Sequence, residues 1–210
     1  MVPIPPRLAR KRPLPPGVVA DAVWAGHAFE LDGQQVRSDR LRLRWWFEAD
    51  LFAGDGVDRF AVIGLNPSAA SEESSDNTLT RCWGFALSAG HRRLAMYNLF
   101  GARGTDPEYL LTYDGVADNV AYVVSEAQRA HAAGGVVVAA WGDLPSGEGL
   151  PPLARRELRA VVADRAEMML SALREARVPL HALALTADGK RPRHPLMLPA
   201  TCRPTLWRTP

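Results

Sequence analysis

Four residues able to hold a ligand each follow a short apolar run in this chain. Asn66 follows Phe60-Ala-Val-Ile-Gly-Leu65, Asn98 follows Leu94-Ala-Met-Tyr97, Trp141 follows Val136-Val-Val-Ala-Ala140, and His194 lies beyond Leu180-His-Ala-Leu-Ala-Leu185. An amide holds a water by accepting one hydrogen bond and donating another. An imidazole can donate to an anionic leaving group or substrate oxygen near neutral pH. If the four runs are parallel strands, their carboxyl ends converge on one crevice, where open α/β sheets bind ligands. The pattern points to a small-ligand or nucleotide site.

Each residue carries a second, plainer reading. Gly64-Leu65-Asn66-Pro67-Ser68 leaves a strand and turns at once. Pro67 fixes its own φ and presses Asn66 towards an extended backbone, which aims the amide into the crevice; alternatively Asn66 satisfies only the backbone of its turn. His194 is either the donor or a structural histidine. In Trp141-Gly142 the glycine lets backbone approach a ligand closely, or the tryptophan is simply core. Phe100, after Asn98-Leu99, can stack on a planar base or pack inward. Where a loop enters a helix at Asp76 to Arg81, Arg81 can meet a phosphate while Asp76 caps the helix; the alternative is a surface ion pair. Ser68 lacks a G-x-S-x-G elbow and an acid in triad order, which excludes serine hydrolase chemistry. Neither G-x-x-x-x-G-K-[ST] nor G-x-G-x-x-G occurs, so the phosphate cradles of nucleoside triphosphatases and dinucleotide enzymes are missing.

The positioning elements read as alternating strands and helices. Strands are expected at 59–65, 93–98, 136–140 and 179–185. Leu79, Cys82, Trp83 and Ala86 mark a helix over 78–89 that is capped by Asp76 or Asn77 and ends at Gly90. A second helix covers 116–133 before Gly134-Gly135. A third covers 153–176, with Leu158, Val161, Val162, Met169 and Ala172 inward. This alternation predicts a parallel sheet with helices on both faces. Ahead of it, 23–31 and 41–47 pair as an N-terminal β-hairpin around Asp32-Gly33, capping one sheet edge. Residues 1–17, with six prolines among basic residues, form an extended arm, and 18–210 form a single domain.

With 210 residues, of which 47% are apolar, one sizeable core is possible and two domains are not required. The net charge of +2 is too small to imply a polyanion partner by itself, but Arg7, Arg10, Lys11 and Arg12, and then Lys190, Arg191 and Arg193, form basic clusters. Only Lys11 and Lys190 are lysines among 25 basic residues, which fits a GC-rich bacterial genome. Cys82 and Cys202 have no C-x-x-C partner, so no metal cluster, iron–sulfur centre or other cofactor is expected. No apolar run approaches a membrane span and the proline-rich start is no signal peptide, so the expected setting is the reducing cytoplasm.

Taken together, segments 64–68, 76–85, 98–107, 140–142 and 193–198 resemble an uncharacterised bacterial and phage family known only as a domain of unknown function, over about residues 40–200. More distantly, Gly64-Leu65-Asn66-Pro67, Ala140-Trp141-Gly142 and His194-Pro195 resemble the strand-end and His-Pro turns of the uracil-DNA glycosylase superfamily. That resemblance implies a three-layer α/β/α fold around a four-stranded, mainly parallel sheet. It makes Asn66 the residue that positions hydrolytic water, Asn98 a base-reading amide, Phe100 or a neighbour the stacking aromatic, and His194 the leaving-group stabiliser. Gly64, Pro67, Ser68, Trp141 and Gly142 would then line the substrate, with Arg81 and Arg193 at phosphate. The turn lacks the longer His-Pro-Ser-Pro-Leu-Ser loop, leaving Leu196 or Met197 as the wedge for base flipping. Asn66 stands where the most active branch carries an acid, which implies slow catalysis.

The expected activity is therefore hydrolysis of an N-glycosidic bond to a base in nucleic acid or a nucleotide. A non-catalytic nucleotide or single-strand binder is the alternative, and an enzyme of modified-nucleotide metabolism is a third.

Overall fold

The computed structural model describes residues 12–31, 34–47, 60–67, 70–102, 110–111, 117–143 and 149–208. Among these the regular elements are β1 Val18–Leu31, β2 Gln34–Phe47, β3 Phe60–Gly64, α1 Asn77–Ser88, β4 Arg93–Asn98, α2 Ala117–Ala132, β5 Val136–Ala139, α3 Pro152–Glu175, β6 Leu180–Ala182 and β7 Thr205–Leu206. The strands form one sheet in the order β1-β2-β4-β3-β5-β6-β7.

The four strands expected from the apolar runs pair parallel as β4-β3-β5-β6. The sheet is nevertheless a seven-stranded mixed sheet, not a four-stranded one. β2 runs antiparallel along β4, β1 antiparallel along β2, and β7 antiparallel along β6. The hairpin thus extends the sheet, because the exposed edge of β4 offers unpaired N–H and C=O groups that β2 satisfies. Its strands are longer than expected: Leu31 pairs with Gln34, on either side of the Asp32-Gly33 turn signal, which itself lies outside the described residues. The polar start of β2 has no apolar alternation, so only its pairing reveals it. β7 contributes two residues, too few for any periodicity.

The continuous apolar runs arise because both faces of the sheet are covered. From β3, Phe60 and Val62 join α1's Leu79, Cys82, Trp83, Phe85 and Ala86 on one face. Ala61 and Ile63 join Val120, Val123 and Ala127 of α2 and Leu158, Val162 and Met169 of α3 on the other. Phe60, Ile63 and Leu94 are fully buried, each worth about 1.5–3 kcal/mol relative to exposure. Of the expected arm, residues 1–11 lie outside the described residues. Arg12 pairs with Ser75 through backbone bonds of 3.0 and 2.8 Å, and Leu14 packs on the α1 side of the core. No helix among the described residues is long and apolar enough to cross a membrane.

Candidate functional site

Pairing continues past the ends of the parallel strands. Leu99 N–H donates to the Gly64 carbonyl (2.8 Å), Phe100 N–H to Leu65 (2.9 Å) and Ala140 N–H to Ile63 (2.8 Å). The three chains therefore leave the sheet together, and a crevice of about 370 Å³ opens at their carboxyl ends, with Gly64, Asn66, Asp76, Asn98, Trp141 and His194 in its walls.

Asn98 is 4% exposed. Its partner in register is Gly64, and a Cβ on residue 64 would stand 2.8 Å from Asn98 Oδ1. Only glycine leaves room for this amide. Asn98 Nδ2 is buried without a hydrogen-bond acceptor among the described residues. Two residues not singled out from sequence hold the backbone at this point: Asn119 Nδ2 donates to the carbonyls of Asn98 (2.8 Å) and Leu99 (2.9 Å), and the Arg165 guanidinium donates to Leu99 (3.2 Å). Arg165 was detectable in principle, because it falls on the stripe of Leu158, Val162 and Met169 that faces the core.

His194 is half-buried, and its Nδ1 accepts from Leu196 N–H at 3.3 Å in the 3₁₀ turn Pro195–Met197. In the neutral ring this leaves the proton on Nε2. Burial holds the imidazole below its ordinary 6.5, opposed by the charge of Asp76. Gly142, at φ +89, packs against it, and a Cβ there would lie 3.3 Å from His194 Cβ.

Asn66 lines the crevice while its Nδ2 donates to the Pro67 carbonyl at 3.4 Å. Pro67 is buried, and Ser68 lies outside the described residues. Trp141 is buried with its ring 6.0 Å from that of Trp207.

Five of the expected residues are not among those that line this crevice: Pro67, Gly142, Phe100, Arg81 and Arg193. Phe100 is fully buried in the core beneath the sheet, with the Arg165 guanidinium 4.6 Å over its ring. Arg81 donates to the carbonyl of Leu198 and lies 5.3 Å from the Phe85 ring, tying α1 to the segment after His194. Arg193 is exposed, its backbone N–H bonded to Ala184. Asp76, read from sequence only as a cap, does face the crevice: Oδ1 accepts from Leu79 N–H at 2.7 Å and the residue is 6% exposed. Burial, aided by Asp76, raises the Cys82 thiol far above its ordinary value and keeps it protonated. Among the described residues no group of three or more His, Cys, Asp or Glu side chains could hold a metal ion.

Sheet and site together define a mixed α/β protein with a largely apolar crevice, carrying a few polar side chains, at the carboxyl ends of its parallel strands, where such sheets bind ligands. The chain belongs to the family described as Protein of unknown function (DUF1643), whose model matches residues 40–196, a stretch that takes in the whole crevice. No curated protein and no solved structure matches the chain.

Proposed function

We propose that the crevice binds a base-bearing ligand, in nucleic acid or as a nucleotide, and hydrolyses its N-glycosidic bond. The observation that carries this reading is Asn98 Nδ2, a donor buried in the crevice wall without an acceptor among the described residues. A buried, unsatisfied amide is costly, and a ligand carbonyl or ring nitrogen would satisfy it. The volume of about 370 Å³ sits at the small end of ligand pockets, which suits a base and its sugar. The motifs that resemble the uracil-DNA glycosylase superfamily favour the same chemistry.

In this mechanism the bond from C1′ to the base nitrogen breaks with its electron pair on the base. His194 Nε2–H donates a hydrogen bond to the departing anion, and the Asn66 amide orients the water that bonds to C1′. Leu196 and Met197, 45% and 71% exposed beside His194, are available to wedge into a base stack.

The test is incubation with labelled uracil-containing single- and double-stranded oligonucleotides and with free uracil nucleosides and nucleotides, scoring base release in the wild type, Asn66→Ala and His194→Ala. The expected result is release in the wild type and a loss of about two orders of magnitude in His194→Ala, as for removal of one preorganised donor. No release from any substrate overturns the reading. Saturable, salt-sensitive binding without product would instead support a binding protein, the reading favoured by the bond that ties Asn66 Nδ2 to its own loop.

A further inference from the structure

We propose that Asp76 is the catalytic base of this crevice: its carboxylate takes the proton of the attacking water and offsets the positive charge that grows on the sugar. The inference rests on the hydrolase reading above and supplies what that reading lacks. An amide such as Asn66 can orient water but cannot accept its proton, and a water attacking C1′ must lose one.

Among the described residues lining the crevice, Asp76 is the one acidic side chain and His194 the one imidazole or cationic one. Asp76 is 6% exposed in a crevice walled mainly by apolar groups, with Asn66, Thr78, Asn98 and His194 as its other polar side chains, where charge interactions are stronger than in water. Its position is fixed from several sides. Oδ1 accepts from Leu79 N–H at 2.7 Å, and the Asp76 carbonyl accepts from Thr80 N–H at 3.0 Å and from Thr80 Oγ1 at 2.9 Å. The preceding Ser75 hydroxyl lies 2.8 Å from Thr80 Oγ1, and the Ser75 backbone is bridged to Arg12.

Capping by itself does not require a charge, since Asn and Ser cap a helix about as well as Asp. The field of Asp76 also reaches His194, opposing the effect of burial on that ring, so the two ionisable groups of the crevice act on the same space.

The step balances without an added reactant. The C1′–nitrogen bond breaks with its electron pair on the base, which accepts the hydrogen bond from His194 Nε2–H. The water oxygen bonds to C1′ and its proton passes to Asp76. The base anion then takes a proton from solvent, and Asp76 releases its own.

Asp76→Asn and Asp76→Ser both keep a capping acceptor while removing the base, so both are expected to fold with melting temperatures near the wild type. On whichever base-bearing substrate the wild type cleaves, each should lower kcat by about 100-fold or more with KM changed little. Wild-type kcat in either folded variant, with His194→Ala impaired, overturns the inference and leaves the hydrolase reading intact. A wild type that cleaves none of the substrates overturns that reading and the inference with it.

Discussion

Gly64 and Asn98 meet in parallel register at the ends of β3 and β4, with Asn98 Oδ1 only 2.8 Å from the point where a side chain on residue 64 would begin. A Gly64→Ala methyl cannot share that space, and the group that yields is the tip of the asparagine. The variant should fold and melt close to the wild type while its affinity for a uracil-containing oligonucleotide falls at least about tenfold, the loss of one good hydrogen bond to a ligand. Titration calorimetry beside a thermal melt checks both halves; unchanged affinity would mean that the Asn98 amide does not touch the ligand.

Asn98→Leu replaces the amide by an apolar group of nearly the same shape. Because Nδ2 is buried without an acceptor among the described residues, the native amide costs stability in the empty protein, on the order of 1–3 kcal/mol for such a group. The leucine variant is expected to be as stable as the wild type or more so in urea, and to bind no ligand. A marked loss of stability would assign the amide a structural role instead.

The pH dependence of stability follows from His194. Burial lowers its folded-state pKa from the ordinary 6.5, so the unfolded chain takes up the proton first as the solution is acidified. Above 6.5 both states are neutral there and the residue contributes nothing; as pH falls below it, stability declines until the folded imidazole is protonated too. Protonation also places a second donor at Nδ1, where the ring now accepts from Leu196. Urea unfolding across this range should show a shallower acid decline in His194→Gln, and an identical slope would show that the ring is not desolvated.

Arg81 and Arg193 should separate cleanly. The Arg81 guanidinium donates through one terminal nitrogen to the Leu198 carbonyl and lies against the Phe85 ring, so Arg81→Ala should cost about 1.5–3 kcal/mol, as for a hydrogen bond from a charged donor, and leave the salt dependence of ligand binding unchanged. Arg193→Ala, at an exposed position, should leave the melt unchanged and, if it meets phosphate, reduce the salt slope by about one. Binding measured at several salt concentrations distinguishes the two; a reduced slope in Arg81→Ala would return that residue to the phosphate.

What the sequence determined by itself is the part written in local pattern. Apolar runs covered on both faces located β3, β4, β5 and β6. The 3.6-residue period, a cap at Asp76 or Asn77 and Gly90 bounded α1 to within a residue, and the Gly-Leu-Asn-Pro turn put Asn66 at a strand end. Because parallel strands carry their carboxyl ends to one side, Gly64, Asn66, Asn98, Trp141 and His194 come together there.

Tertiary structure decided everything that depends on what stands opposite. The sheet has seven strands because β2 closes the open edge of β4, through Leu43 to Trp46 of the stretch expected as a hairpin strand, and two residues of β7, too few to carry a pattern, close that of β6. Phe100 turns into the core under Arg165, Arg81 turns to a carbonyl 117 residues away, and Asp76 turns into the crevice. A residue's spacing states which face of its own element it occupies; which groups meet that face is set by long-range contacts, and those exist only once the chain has folded.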